Sequence, residues 1–273
     1  MPSLLIATDL DGTLLRSDGS VSPRTRDALV AAERSGAVVL FVTARPIRWL
    51  DGLRDLVGGH GLVVCANGAV VLELATGRVL ESSPMRSEAV LAAADRLRAA
   101  VPGIAFARES LSGFGRETGF VPRYAPPPGS PVGSLEQVLG DGVVKVLARH
   151  ETLPRDELLE RVTTALDGAL VASVSGEGAL VELAAPGVTK SAALAQVAAR
   201  FGIAREDVVA FGDMLNDLPM LEWAGFGVAV ANAHPRVRAV ADEVTRSNDE
   251  DGVAVVVERL VADLDPAGGH RAG

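Results

Sequence analysis

One cysteine in 273 residues excludes an intrachain disulfide framework and any cysteine-based metal site. The neighbours Val63, Val64 and Ala66 read Cys65 as a buried thiol. A cysteine phosphatase would want an Arg six residues downstream of its nucleophile, where this chain has Val71. No apolar stretch approaches the ~20 residues of a membrane span. Met1-Pro2-Ser3 leads straight into an apolar run without a basic region or cleavage site, so the expected location is the cytoplasm. Positive charge is also short: 26 Lys and Arg against 35 Asp and Glu give a formal charge of −9, which argues against a nucleic-acid partner, since that needs clustered cations. A small phosphorylated ligand stays open, because screening over about 8 Å lets a few local cations outweigh distant acids. The four histidines, His60, His150, His234 and His270, lack metal-ligand spacing and read as surface or loop residues. Nothing in the chain specifies an oligomeric state.

With 48% hydrophobic and 22% charged residues, the composition is that of a soluble globular protein with a sizeable core, long enough for one large domain or two ordinary ones. Strand-like runs alternate with helical patterns over the first ~80 and last ~85 residues, the signature of parallel βαβ units. Leu4 to Thr8, Val38 to Val42, Leu62 to Cys65 and Val208 to Phe211 read as strands. Ser22-Pro23 starts a helix with Thr25, Ala28, Leu29 and Ala32 inward and Gly36 at its end. A helical segment is expected from Pro46 to Val57, and a hairpin through Thr76-Gly77. Thr189 caps a helix with Leu194, Val197, Ala198 and Phe201 on one face, closed by Gly202. Further pieces run through Gly227 to Val230, Pro235 to Val240 and Val253 to Leu264, and the tail from Asp265 reads as unstructured.

Residues 82–186 read differently: a helix with Val90, Ala93, Ala94 and Leu97 inward, strands, a proline loop, strand Val143 to Ala148, another helix, and two strands around Ser175-Gly176-Glu177-Gly178. The expected architecture is therefore a doubly wound parallel-sheet (Rossmann-like) α/β core, residues 1–81 and 187–273, with an inserted smaller α+β domain, residues 82–186. Pro122 to Pro131 holds five of the fifteen prolines and reads as an extended connector. Gly113-Phe-Gly115 with Gly119 misses the dinucleotide fingerprint by one residue and carries no nucleotide-binding expectation.

Chemistry gathers at the strand ends. Asp9-Leu10-Asp11-Gly12-Thr13 follows the first strand. One aspartate can attack a phosphorus centre as a carboxylate, and a second can move the proton that the leaving oxygen needs. Asp and Gly are also ordinary turn residues, so the pentapeptide alone is equally compatible with a plain turn. Thr43 and Arg45 follow the second strand, and Gly212-Asp213-Met214-Leu215-Asn216-Asp217 follows Val208 to Phe211. In a parallel sheet these ends share one crevice. Lys190 sits in the first helical turn after Thr189, opposing the helix dipole, which suits a lysine with anions close by. Asp9, Asp11, Asp213 and Asp217 around one crevice would raise one another's pKa values. A divalent cation with hard-oxygen preference, Mg²⁺, removes that conflict.

In this order the motifs resemble the haloacid dehalogenase-like hydrolase superfamily: DLDGT at 9 to 13, Thr43 in VTARP, Lys190 after the insert and GDMLND at 212 to 217. The insert between the Thr and Lys motifs, and Asn67-Gly68-Ala69 after the third strand, are similar to its Cof-type branch. The resemblance implies that Asp9 forms an aspartyl-phosphate and that Asp11 protonates the leaving alcohol, then deprotonates water. Thr43 and Lys190 would stabilise the phosphoryl group. The implied substrate contacts are Thr43, Ala44, Arg45, Asn67, Gly68, Lys190 and Asn216. The implied metal set is Asp9, Asp11 through its backbone carbonyl, and Asp213, with Asp217 bound to the ion or supporting it and Asn216 supporting the site. Ala44 stands where the family often has Gly, and Arg45 would touch either the substrate or the insert. Dehalogenases of the superfamily lack the second Asp, and phosphonate hydrolases need a Schiff-base lysine; Lys145, inside a strand, reads as structural.

The expected function is thus Mg²⁺-dependent hydrolysis of small phosphorylated metabolites, sugar phosphates among them, with the insert as a lid. A phosphosugar mutase and a non-catalytic metabolite-binding module are the alternatives.

Overall fold

The computed structural model describes residues 4–57, 61–174 and 179–264. In chain order the first elements are β1 (Leu5–Asp9), α1 (Pro23–Arg34), β2 (Val38–Val42), α2 (Leu53–Val57), β3 (Leu62–Cys65), β4 (Val70–Glu73) and β5 (Val79–Ser82). Then come α3 (Ser87–Ala100), β6 (Ala105–Ser110), β7 (Gly113–Glu117), β8 (Val132–Gly133), α4 (Leu135–Val138) and β9 (Val143–Arg149). They are followed by α5 (Arg155–Leu166), β10 (Val171–Ser173), β11 (Leu180–Ala184) and α6 (Lys190–Phe201). The last are β12 (Val208–Gly212), α7 (Leu218–Trp223), β13 (Phe226–Ala229), α8 (Pro235–Val240), β14 (Glu243–Val244) and α9 (Gly252–Leu264). The chain divides into two compact units: residues 1–43, 50–80 and 189–273, and residues 44–49 with 81–188.

The first unit is a doubly wound α/β layer. Among the described residues its sheet runs β14-β13-β12-β1-β2-β3-β4-β5. The pairs from β14 to β3 are all parallel, and β4 turns back antiparallel to β3. β1 is buried along its whole length and β2 along nearly all of it, which is why both read as continuous apolar runs rather than as alternation. α1 forms where Ser22 Oγ accepts the Thr25 N–H at 3.0 Å and Pro23 occupies the first turn, and it buries Thr25, Ala28, Leu29 and Ala32. It packs against α9. α6 begins where Thr189 Oγ1 accepts the Ala192 N–H at 3.0 Å. Its Ala193, Leu194, Val197 and Ala198 pack on Leu5, Ala7, Leu40 and Val42, together with Met220 and Leu221 of α7 and Val237 of α8.

The expected helix from Pro46 to Val57 is instead two pieces, a 3₁₀ turn Ile47–Trp49 and α2. Gly costs about 1 kcal/mol against Ala inside a helix. Here Gly52 lies at the break, its carbonyl accepting from Asp55 and Leu56 to start the second piece. The break also falls at a boundary between the two units, after Trp49.

The second unit is α+β. Its sheet runs β10-β11-β9-β6-β7-β8 among the described residues, antiparallel except for β7 with β8. α3 and α5 cover one face, on a core that includes Val90, Leu97, Phe106, Val146, Leu158 and Val181. The period of two sends Lys145 and Leu147 of β9, Ala107 and Glu109 of β6, and Glu182 of β11 to the opposite face. There Ala107, Phe114, Phe120 and Leu147 form a small cluster. The glycines Gly113 and Gly115 lie in β7, a strand paired with β6, and residues 122–131 form neither helix nor strand. The turn expected at 175–178 and the tail from 265 lie outside the described residues, as do His60 and His270. No helix among the described residues is long and apolar enough to cross a membrane.

Leu194 is fully buried between α6 and the sheet. Leu194→Ala should lower stability by about 2–5 kcal/mol, read as a shift of the denaturant midpoint at unchanged slope.

Candidate active site

Strand order reverses between β1 and β12: β2 and β3 lie on one side of this pair, β13 and β14 on the other. Ligands of open α/β sheets bind outside the carboxyl ends at such a switch point. Asp9 is the last residue of β1, and Asp213 follows Gly212, the last of β12; the two strands run parallel in register. Thr43 follows β2 on the other flank of β1.

Lys190 ties these ends together. Its Nζ donates to Asp9 Oδ1 at 2.5 Å and to Asp217 Oδ1 at 2.6 Å, with only 3% of its side chain exposed. Asp217 Oδ2 accepts the backbone N–H groups of Asp213 at 3.1 Å and Met214 at 2.9 Å, so both its oxygens are engaged. The Asp213 carboxylate accepts from Thr13 Oγ1 at 3.0 Å, and its carbonyl accepts the His234 N–H at 2.8 Å. One oxygen each from Asp9, Asp213 and Asp217 lie within 4.8 Å of one another. Asp11 is exposed, and its side chain lies outside that group.

Gly12 explains part of the pentapeptide. Its φ is +83°, and a Cβ there would stand 2.6 Å from Asp213 Oδ2, so only glycine lets the first loop lie against the Asp213 carboxylate. Gly68 does the same on the other side: φ is +110°, and a Cβ would meet the Thr189 carbonyl oxygen at 2.3 Å. Asn67 N–H donates to the Thr43 carbonyl at 3.1 Å, while the Thr43 N–H donates to Val64 at 2.8 Å. The Asn67-Gly68 loop therefore joins the end of β2 to the capping residue before Lys190. Ala66 and Asn67 both have positive φ, 52° and 59°, a conformation that costs energy in residues with a Cβ and is often held at functional sites. Asn216 sits half-buried in the 3₁₀ turn Leu215–Asp217. Ala44 and Arg45, also half-buried, are grouped with the second unit.

The charge balance of the cluster is informative. Three carboxylates against one ammonium leave two formal negative charges in a buried place. Burial pushes the Asp9 carboxyl well above the usual range, and the nearby Asp217 and Asp213 push it the same way while Lys190 opposes them. Burial alone would lower the Lys190 pKa, but attraction to Asp217 and Asp9 outweighs it and holds the ammonium charged. Asp213 is pushed up to about 6, first by burial and then by Asp217, against the Thr13 hydrogen bond and Lys190. Hard oxygen donors with a net charge of −2 fit a small divalent cation.

Two partners carried no expectation from the sequence. Thr13 holds Asp213, and Asn232, in the loop after β13, donates from Nδ2 to the Gly12 carbonyl at 2.7 Å. The strand-end rule that finds Thr43 would also have found Asn232 once β13 was set beside β12. The described histidines serve local structure: His150 Nδ1 accepts from Thr152 and Leu153, and His234 caps α8. Cys65 is buried.

The model of the haloacid dehalogenase-like hydrolase family matches residues 6–257. The chain is 32% identical to the putative phosphatase YxeH of Bacillus subtilis (strain 168), over 94% of this chain and 98% of that protein. It is 30% identical to the 5-amino-6-(5-phospho-D-ribitylamino)uracil phosphatase YitU of the same organism, over 92% and 94%. Its fold is similar to that of a haloacid dehalogenase-like hydrolase from B. subtilis, with a TM-score of 0.78 and 27% identity, over 95% of this chain and all of that one.

Because Asp213 titrates near 6 when folded against an ordinary 3.8, the folded chain holds this proton more tightly than the unfolded chain. The stability it contributes is complete at the acid end and is lost as pH rises through about 4 to 6. In chelator, Asp213→Asn should therefore raise the melting temperature near pH 7.5, with a gain that shrinks as pH falls toward about 4; thermal scans across that range check it.

Proposed function

Because the chain belongs to the haloacid dehalogenase-like hydrolase family, we propose that it is a Mg²⁺-dependent phosphatase of small phosphorylated metabolites, acting through an aspartyl-phosphate on Asp9. The observation that carries this reading is the buried Lys190 ammonium bridging Asp9 and Asp217 beside Asp213, at the switch point of the sheet. The relatives named as phosphatases support the class.

Only an ionised carboxylate is a nucleophile. Burial works against that state at Asp9, and the Lys190 ammonium at 2.5 Å works for it. In the first half-reaction a carboxylate oxygen of Asp9 forms a bond to phosphorus as the bond from phosphorus to the ester oxygen breaks, and Asp11 gives that oxygen its proton. In the second, Asp11 takes a proton from water as the water oxygen attacks phosphorus. The bond to Asp9 then breaks, releasing inorganic phosphate and restoring both side chains. Asp11 suits this exchange because its side chain is exposed, whereas the others are buried. Thr43, Lys190 and the backbone around Ala44 and Arg45 would hold the phosphoryl oxygens, with Asn67, Gly68 and Asn216 shaping the rim.

Asp9, the Asp11 backbone carbonyl and Asp213 would hold Mg²⁺, which when bound supplies the positive charge that offsets the cluster and the phosphoryl group. Asp217, whose oxygens already serve Lys190 and two backbone N–H groups, supports that set from behind.

A panel of phosphorylated metabolites assayed for free phosphate tests the reading. Release should require Mg²⁺, stop in chelator and fall to background in Asp9→Asn while the circular dichroism stays that of the parent. Hydrolysis that persists in Asp9→Asn would remove Asp9 from its role, and conversion of one sugar phosphate to another without phosphate release would favour a mutase.

A further inference from the structure

The segment Ala44–Trp49 directly follows Thr43, yet it belongs to the second compact unit. Two cationic side chains, Lys145 buried and Arg48 half-buried, account for its attachment there. Lys145 Nζ, from β9, donates to the Ala44 carbonyl at 2.7 Å and lies 2.8 Å from Glu182 Oε2 of β11. Four residues further on, Arg48 forks onto Glu109 of β6, with Nε at 3.0 and 3.1 Å and a terminal nitrogen at 2.7 Å. The Arg48 guanidinium also lies 4.8 Å from the ring centres of both Trp49 and Phe114. Glu109 and Lys145 are direct partners in the β6/β9 ladder, so the two ion pairs adjoin on one face of the sheet. Two cations and two carboxylates balance, and the Lys145 side chain is only 2% exposed.

Burial makes this grip specific. An ammonium out of water must find oxygen acceptors, and here they are one carboxylate and one backbone carbonyl. Replacing a buried ion pair with apolar residues of similar volume often costs no stability; what the pair supplies here that an apolar filling lacks is a fixed direction for the Ala44 carbonyl. The peptide unit is planar and trans, so the Arg45 N–H points opposite to that carbonyl. Holding the one against Lys145 aims the other, and sets where the Arg45 side chain leaves the backbone.

We propose that Lys145, oriented by Glu182, is a positioning residue for phosphate binding: it fixes the Ala44–Arg45 peptide next to Thr43, while Arg48 on Glu109 anchors the far end of the same segment. This rests on the reading of residues 43–45 as contacts of the phosphoryl group.

The test is the double variant Lys145→Met with Glu182→Met. It removes both charges together, so no buried charge is stranded, but deprives the Ala44 carbonyl of its donor. KM for a phosphomonoester should rise about tenfold with kcat changed no more than about threefold. Backbone hydrogen exchange in the peptide covering residues 44–48 should accelerate about tenfold, with α1 unchanged. Glu182→Gln, which leaves Lys145 an acceptor and its bond to Ala44, should keep the parent KM. A folded double variant with parent KM and parent exchange would overturn the proposal, as would a KM rise in Glu182→Gln equal to that of the double. If the parent hydrolyses no phosphomonoester, the phosphatase reading fails and takes the phosphate-binding role with it, while unchanged exchange in the double variant would separately overturn the grip of Lys145 on the segment. Should the double variant not fold, Arg48→Met with Glu109→Met, which frees the other anchor, carries the same expectations and the same overturning result.

Discussion

A buried ammonium shared between two carboxylates is the constraint on which the rest of the first unit's strand-end cluster depends. Lys190 lies in the first turn of α6, where a cation opposes the helix dipole. Only the charges of Asp9 and Asp217 make that position favourable. Removing either partner would strand a charge, so the end of β1, the turn after β12 and the start of α6 must all be in place together. Buried pairs of this kind are costly beside apolar packing, and the offsetting gain here is geometric: the Asp9 carboxyl is pointed at one place, with the Lys190 ammonium opposing the burial that raises its pKa.

The surrounding loops are shaped to allow that convergence. Gly12 lets the first loop lie on Asp213, and Gly68 lets the third lie on Thr189. Asn232 then closes the ring from β13 to Gly12. Each loop comes from a different strand end, and the two glycine loops could not approach so closely with a side chain in the way. Three carboxylates gathered against one ammonium leave an excess of negative charge, a hard-oxygen arrangement of the kind that could hold a small divalent cation.

Much of this was legible in the sequence where local and global signals agree. β2 and β3 fall at the expected bounds because fully buried parallel strands are uninterrupted apolar runs, and α1 and α6 carry caps and stripes that point the same way. Membership of the superfamily was legible because its motifs sit at strand ends, in order. What stayed hidden depends on contacts distant in sequence. Gly52 marks the break in the Pro46–Val57 segment, but the attachment of Ala44–Trp49 to Lys145 and Glu109 depends on residues far along the chain. The service of Asp217 to Lys190 and to two backbone N–H groups needs three dimensions to see. Lys145 read as structural from its place within a strand, but its partner, the carbonyl of Ala44, leaves no mark on a sequence.

The central claim is that Asp9 is the nucleophile, held ready by Lys190. A substrate whose leaving group departs without a proton, p-nitrophenyl phosphate, separates the two half-reactions: Asp11→Asn should still transfer the phosphoryl group but be slow to release it. Acid-quenched mass spectrometry of that variant during turnover should then show a single added phosphoryl group, mapped to Asp9. Release of phosphate with no adduct on Asp9 at any time point would contradict the account.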